Sequence, residues 1–118
     1  ANPASMRAGI ETFLETTPET TRLLMLGDMK ELGPASPELH RKLGDWLAGK
    51  AIDGVFLAGA EMAHAAEALR AGSASFPVIH AESPDSLSGA LRSRLGARTA
   101  VYFKASRAMR LENFIEAL

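Results

Sequence analysis

Apolar residues recur at helical spacing in five separate stretches of the chain. In the first stretch, Met6, Ile10, Phe13 and Leu14 follow the i, i+4, i+7, i+8 pattern that gives a helix one apolar side. The same pattern predicts helices over about residues 3–15, 37–48, 61–71, 84–95 and 107–117. Each predicted helix has one stripe to bury, so all five require a common layer to pack against.

Three of the predicted helices share a start signal. Asn2, Ser36 and Ser83 each stand directly before a proline. The side-chain oxygen of such a residue can accept a backbone N–H at the helix start, and proline in the next position has no N–H to leave unpaired. We therefore expect these three residues to be N-caps.

Four short apolar runs alternate with the helices, over residues 23–26, 55–58, 77–80 and 99–103. Each run is continuous rather than alternating, which favours strands of a parallel sheet that is covered on both sides. Strands that alternate with helices imply β–α–β crossovers. The predicted fold class is α/β. It is one three-layer domain over residues 1–118, with a mostly parallel sheet of at least four strands flanked by about five helices.

Composition changes this picture mainly by excluding classes of protein. The 118 residues are 47% hydrophobic and 23% charged with a formal net charge of -1, which argues against a disordered chain and a nucleic-acid binder. The absence of cysteine excludes disulfides, thiol nucleophiles and cysteine-ligated metals. No apolar run approaches the roughly 18 residues of a membrane span. Residues 1–6 do not resemble a signal peptide, so we expect a cytoplasmic protein.

Candidate chemistry lies after the strands, because ligands of open parallel sheets bind beyond the carboxyl ends, where the strand order reverses. If that order is 3-2-1-4, Asp28 after the first strand and residues 104–107 after the fourth face one crevice. Lys104, Ser106 and Arg107 lie in a predicted strand-to-helix turn, where N–H groups, a hydroxyl and two cations suit a carboxylate or phosphate. The alternative is a solvated basic helix start. Asp28 would bind a hydroxyl, a metal or a neighbouring cation, or would cap a helix or turn.

Other familiar site signatures are missing from the sequence. His40, His64 and His80 lack the spacing of metal ligands, so we expect no metal site. Neither a G-x-x-x-x-G-K-[ST] phosphate loop nor a G-x-G-x-x-G segment follows any predicted strand. Any nucleotide chemistry would therefore depend on a cradle supplied by another domain.

Three segments together resemble one protein family. Residues 1–6 are similar to the end of its Tyr-Asn-Ala-Asn-Pro-x-Ser-Met segment. Residues 26–33 match its Leu-Gly-Asp-Met-x-Glu-Leu-Gly segment, with His40 downstream at the expected distance. Residues 104–109, Lys-Ala-Ser-Arg-Ala-Met, resemble its Lys-Gly-Ser-Arg-Gly-Met segment. The segments occur in order across all 118 residues, and the chain thereby resembles the C-terminal domain of MurF-type Mur ligases.

The resemblance implies a Rossmann-like C-terminal domain of a longer bacterial enzyme, whose N-terminal domain holds a UDP group and whose central domain carries a phosphate loop. Such an enzyme uses ATP and Mg²⁺ to add D-alanyl-D-alanine to UDP-N-acetylmuramoyl-tripeptide in peptidoglycan precursor synthesis, through an acyl phosphate. By the same resemblance, Lys104, Ser106 and Arg107 would position the terminal carboxylate of the dipeptide. Asn2 and Asp28 would lie near the nucleotide. The domain alone is expected to be inactive and to hold no tightly bound cofactor.

The resemblance is incomplete at one turn, where Ala105 and Ala108 replace glycines of the family pattern. If that turn needs a positive φ, alanine there costs about 1 kcal/mol or somewhat more. A different class of function also fits the basic turn, namely a stand-alone anion- or nucleotide-binding module without catalysis. Tight binding of ATP, phosphate or the dipeptide by this chain alone would favour that alternative.

Overall fold

The structure is a computed structural model that describes residues 2–18 and 20–105. Its α-helices are α1 (Pro3–Thr16), α2 (Ser36–Leu47), α3 (Met62–Ala71) and α4 (Ser88–Arg92). Its strands are β1 (Thr21–Gly27), β2 (Gly54–Ala58), β3 (Val78–Ala81) and β4 (Thr99–Lys104). Short 3₁₀ helices precede α2, at Gly33–Ala35, and α4, at Pro84–Leu87. Within the described ranges, no helix has the length and apolar character needed to cross a membrane.

The four strands form one parallel sheet in the order β3-β2-β1-β4. The central strand β1 pairs with β2 through Leu24 and Val55, and with β4 through Leu26 and Lys104. The chain therefore moves across the sheet from β1 to β3 and then returns past β1 to β4. This result confirms the parallel α/β prediction and the conditional order from which the candidate crevice was deduced.

Side-chain alternation along β1 divides the core into two apolar layers. Leu24 and Leu26 pack with α1, α2 and α3, whereas Leu23 and Met25 pack with α4. Crossovers between parallel strands are right-handed, so a reversal in the direction of travel moves the connecting helix to the opposite side of the sheet. The return from β3 to β4 is such a reversal, and it explains why α4 lies alone opposite the other described helices.

The predicted helix boundaries hold to within a residue or two for α1, α2 and α3, but the helix expected over 84–95 is wrong in form. It begins as the 3₁₀ segment and continues as an α-helix of only 5 residues. The Ser88 hydroxyl donates to the Asp85 carbonyl at 2.9 Å, so a side chain competes for a backbone acceptor in this serine-rich stretch. The helix expected over 107–117 lies outside the described residues.

Only one of the three expected N-caps is confirmed. The side chain of Asn2 accepts a hydrogen bond from the Ser5 amide at 2.9 Å, as predicted. Ser36 instead lies inside the first turn of α2, and its hydroxyl donates to Glu61. Ser83 has the extended backbone of an N-cap, but its hydroxyl lies 3.3 Å from that of Ser86 and makes no capping bond. The partner of Ser83 is local, but local sequence could not show that the Ser36 hydroxyl donates to Glu61, 25 residues away.

Helices α2 and α3 approach each other closely at Gly44. A Cβ atom at this position would lie 2.5 Å from the Ala65 carbonyl oxygen and 2.9 Å from the Ala68 Cβ. Neither neighbour is the flexible end of a long side chain, so neither can move aside cheaply. The hydrogen side chain of Gly44 therefore sets the distance between the two helices.

We expect Gly44→Ala to lower the free energy of unfolding by about 1–3 kcal/mol, because overpacking of this kind forces backbone shifts. The loss would occur although alanine is intrinsically the better helix former by about 1 kcal/mol. Urea unfolding of both proteins measures the difference.

Gly89→Ala is the matched control, since a Cβ atom at this α4 position meets nothing within 4 Å. It should leave stability unchanged or raise it by about 0.5–1 kcal/mol. Equal effects of the two substitutions would contradict the close helix approach.

Candidate functional site

The strand order places the reversal between β1 and β4, and polar residues follow both strands there. Leu26 pairs with Lys104 at the carboxyl end of these strands, and Asp28 lies two residues beyond Leu26. Alternation along β4 puts Lys104 on the same side of the sheet as Tyr102, which packs with the α1–α3 layer. The structure thus brings Asp28 and Lys104 to the edge of the sheet where the strands have their carboxyl ends, which we call the carboxyl edge. The predicted site residues Ser106 and Arg107 lie outside the described residues.

Asn2 belongs to the same edge because α1 runs back along the sheet. The guanidinium of Arg22, near the start of β1, donates to the Leu14 carbonyl at 2.9 Å, so the end of α1 lies at the amino edge. Midway along α1, Gly9 lies against the Tyr102 side chain of β4, and Phe13, nearer the end of the helix, packs on the same ring with centroids 5.6 Å apart. The start of α1, with its cap Asn2, therefore points to the carboxyl edge.

The Asp28 carboxylate is buried and is directed towards the start of α3. Its Oδ1 accepts from the Met62 amide at 2.9 Å, and its Oδ2 accepts from the Glu61 amide at 3.3 Å. The Nζ of Lys30 lies 3.5 Å from Oδ2. Helix N-termini favour negative charge, and two amide donors with one cation satisfy both oxygens. Of the open alternatives for Asp28, the cap and the neighbouring cation are the two that its contacts match.

Gly59 makes room for this carboxylate. Its φ of +114° is a backbone conformation that residues other than glycine rarely adopt. A Cβ atom there would also overlap the carboxyl group of Asp28. Two residues at the end of β3 bind the backbone of Gly59. The Gly59 amide donates to the Ala81 carbonyl at 2.9 Å, and the Gly59 carbonyl accepts from Nε2 of His80 at 2.7 Å. A glycine is therefore required at position 59 on conformational and steric grounds.

His40 is fully buried and binds backbone groups through both ring nitrogens. The Met29 amide donates to Nε2 at 3.1 Å, so this nitrogen carries no proton. Nδ1 carries the proton and donates to the Ser36 carbonyl at 2.8 Å. These partners define a neutral imidazole in the Nδ1–H tautomer, which joins α2 to the loop after β1.

The Ser36 hydroxyl connects α2 to α3. It lies 3.2 Å from Nδ1 of His40 and donates to Oε1 of Glu61 at 2.5 Å. This hydrogen bond holds the pKa of the Glu61 carboxyl below its ordinary value, and it outweighs partial burial, which raises the pKa. We call Asp28, Ser36, His40 and Glu61 the edge network. It is not a hydrolytic triad, because the serine gives its proton to the carboxylate and the histidine is occupied by backbone groups.

The remaining candidates are less closely connected. His64, on α3, has a buried Nδ1 that makes no hydrogen bond to any described residue. Across residues 2–18 and 20–105, no three histidine, aspartate or glutamate side chains are grouped in a way that could hold a metal ion.

A comparison with protein families identifies the family of this chain. The family model described as "Mur ligase, glutamate ligase domain" matches residues 1–107, which is most of the chain. This chain belongs to the Mur ligase family. The match includes residues 26–33, which form the end of β1 and the loop that carries Asp28.

Three relatives of this Mur ligase domain all belong to the MurF branch of the family. A UDP-N-acetylmuramoyl-tripeptide--D-alanyl-D-alanine ligase of Bacillus subtilis is 31% identical over 118 residues, covering 100% of this chain and 26% of the relative. MurF from Acinetobacter baumannii has a TM-score of 0.81 at 27% identity, covering 100% of this chain and 26% of that one. MurF ligase from Thermotoga maritima in complex with ADP has a TM-score of 0.72 at 28% identity, covering 98% and 25%.

These similarities support a MurF-type C-terminal domain with a Rossmann-like fold. The chain spans about a quarter of the length of the curated relatives that it matches. The other three quarters of those relatives have no counterpart among these 118 residues.

Sequence reasoning identified part of this Mur ligase domain's edge and missed the rest. Asp28 and Lys104 were predicted because they stand just after the apolar runs over residues 23–26 and 99–103. Ser36, Glu61 and the structural role of His40 were missed, although Ser36 and His40 stand four residues apart on one helix and Glu61 follows β2. The i, i+4 pair was the available signal, but its third member comes from another element.

We expect Asp28→Ala to destabilise this Mur ligase domain by about 1–3 kcal/mol, because the Met62 and Glu61 amides would lose their acceptor in a buried place. Hydrogen exchange at the Met62 amide should accelerate beyond the change expected from global stability alone. Asp45→Ala, at an exposed carboxylate on α2, is the matched control and should be nearly neutral. Unchanged Met62 protection in the Asp28 variant would refute the capping role.

The Glu61 carboxylate should make stability sensitive to acid. Its pKa in the folded protein lies below the ordinary value of 4.5, so its contribution is present above that pH and is lost as the pH falls further. From about pH 5 to about pH 3, the free energy of unfolding should fall less steeply in Glu61→Gln than in the wild type. Glu67→Gln, at an exposed position of the same helix, should follow the wild type, and identical slopes for all three would contradict the hydrogen bond from Ser36.

Proposed function

We propose that this chain is the C-terminal domain of an ATP-dependent ligase that joins D-alanyl-D-alanine to UDP-N-acetylmuramoyl-tripeptide during peptidoglycan precursor synthesis. The observation that carries the proposal is the segment over residues 26–33, which the family match includes and which forms an ordered loop at the carboxyl edge of the sheet. The 31% identical relative with that activity in its name supports the same substrates.

The division of labour follows from what this chain lacks and what its relatives add. No phosphate loop is present in the sequence, and the matched relatives are about four times longer. We propose that N-terminal and central domains of the same enzyme bind the UDP-linked substrate and the phosphates of ATP. This domain would close over them with its carboxyl edge, and on its own it would have no ligase activity.

The carboxyl edge offers donors rather than metal ligands to the nucleotide. Both oxygens of Asp28 already accept hydrogen bonds, so this residue is better suited to ordering Lys30 than to ligating Mg²⁺. Asn2 uses its side-chain oxygen as a helix cap, and its amide nitrogen is the group that it would present to the nucleotide. In this proposal, Mg²⁺ is held chiefly by the other domains.

The dipeptide would be positioned from the β4 side of the edge. Lys104 lies at this edge as the last residue of β4, and Ser106 and Arg107 follow it in the sequence. An ammonium, a hydroxyl and a guanidinium suit a carboxylate, with arginine able to bind both oxygens at once. Held in this way, the dipeptide amine can attack the activated carbonyl carbon without a bimolecular encounter.

The tripeptide carboxylate attacks the γ-phosphorus of ATP, which gives an acyl phosphate and releases ADP. The dipeptide amine then attacks the acyl carbon, so the C–N bond forms as the C–O bond to phosphate breaks, and inorganic phosphate and one proton leave to solvent. This chain's contribution is to place the amine and to exclude water from the closed site. No step in the scheme requires a nucleophile from residues 1–118.

In the full-length enzyme, Arg107→Ala should raise the KM for D-alanyl-D-alanine roughly 10- to 100-fold and leave the KM for ATP nearly unchanged. The reason is that a charge-assisted hydrogen bond to the dipeptide carboxylate contributes about 1.5–3 kcal/mol. Steady-state kinetics with each substrate varied in turn measures both constants.

Arg41→Ala provides the control, because Arg41 is exposed on α2 and forms a surface ion pair with Glu38 at 3.6 Å. Its kinetic constants should equal those of the wild type. Unchanged dipeptide kinetics in Arg107→Ala would reject the assignment of Arg107. Tight binding of the dipeptide or ATP by the 118-residue chain alone would favour a stand-alone binding module over the ligase.

A further inference from the structure

We propose that His40 is a positioning residue for the proposed ligase reaction, acting as a neutral Nδ1–H imidazole that fixes the loop after β1 at the carboxyl edge. The inference depends on the proposed function for its catalytic consequence. Its structural part depends only on the contacts of His40. No substrate contact is assigned to this residue.

The first support is the way in which His40 is held. It has no solvent exposure, and each ring nitrogen faces a backbone group: the Met29 amide at 3.1 Å and the Ser36 carbonyl at 2.8 Å. Protonation of Nε2 would place two N–H groups against each other at Met29. The charged groups nearby are Glu61, which accepts from the Ser36 hydroxyl, and the ion pair of Asp28 and Lys30, the residues on either side of Met29. The two contacts therefore match the Nδ1–H tautomer.

The second support is the loop itself, which needs an external restraint. Glu31 has a φ of 61°, a left-handed conformation that is sterically unfavourable for a residue other than glycine. Two consecutive residues fix the start of this segment to different helices: Asp28 to α3 through its carboxylate, and Met29 to α2 through His40. Such double attachment is what maintains an unfavourable backbone in a folded protein.

The third support is what the restrained loop presents. Lys30 comes directly after Met29, and its side chain is 44% exposed while its Nζ stays 3.5 Å from Asp28. An ammonium group is thus held at the edge that the proposed reaction uses, in the loop that follows β1, the strand paired with the Lys104 end of β4. Loss of the Met29–His40 bond would free the amide that precedes Lys30. The effect on the reaction would pass through loop position and not through any proton that His40 could transfer.

Two substitutions of similar size separate this role from a general effect on folding. In His40→Gln, the side-chain amide oxygen can accept from Met29 in the place of Nε2. In His40→Asn, the shorter amide can donate to the Ser36 carbonyl in the place of Nδ1 but leaves Met29 without an acceptor. Each variant keeps one of the two backbone bonds, so their stabilities should be similar.

The test combines kinetics on the full-length ligase with NMR on the ¹⁵N-labelled 118-residue chain. We expect His40→Asn to lower kcat roughly 10-fold or more, because a small misplacement near a reacting centre is costly, and His40→Gln to remain within about 5-fold of the wild type. Long-range ¹H–¹⁵N spectra should show His40 protonated at Nδ1 only. The Met29 amide resonance should shift strongly in the Asn variant and less in the Gln variant.

Equal kcat values for the two variants at equal stability would overturn the positioning role. A charged or Nε2–H imidazole in the wild type would overturn its structural basis. If the wild-type enzyme shows no ATP-dependent joining, the proposed function fails, and the catalytic part of this inference fails with it. The NMR result then still decides whether His40 fixes the loop, so the two failures remain distinguishable.

Discussion

The carboxylate of Asp28 at the amino end of α3 is the interaction on which the whole carboxyl edge depends. A buried carboxylate is costly unless donors surround it, and here two amides, a helix dipole and one ammonium meet that requirement. Its position sets conditions on its neighbours. Gly59 must lack a side chain, and the loop after β1 must turn back towards α2. The site geometry is therefore a consequence of satisfying one charge.

Elements whose causes are local were predictable from the sequence. The strands were predictable because continuous apolar runs are typical of a sheet covered on both sides. The Asn2 cap was predictable because an asparagine directly before a proline is a typical helix start. Ser36 and Ser83 carried the same local signal without becoming caps. The Ser83 hydroxyl has a local partner in Ser86, whereas the partner of Ser36 is Glu61, 25 residues away, and depends on the fold.

The candidate site shows the same boundary between local and tertiary causes. Asp28 and Lys104 could be placed together because strand order and the position after a strand are enough to put two residues at one edge. The edge network could not be deduced, because His40 and Glu61 meet only through the packing of α2 on α3. The spacing of His40 in the sequence bears only on metal ligation. Its burial between the Met29 amide and the Ser36 carbonyl, which joins α2 to the loop after β1, is visible only in the structure.

The close contact at Gly44 has a mechanical consequence if, as proposed, this domain moves relative to others of the same enzyme. At Gly44, α2 and α3 contact each other through backbone and Cβ atoms, with no flexible side chain between them. The two helices therefore move as one rigid body. Ser36 at the start of one helix and Glu61 at the start of the other then keep their separation during any rotation of the domain. A hinge elsewhere in the polypeptide would deliver the edge as a preassembled unit, with its hydrogen bonds already made before the substrates are enclosed.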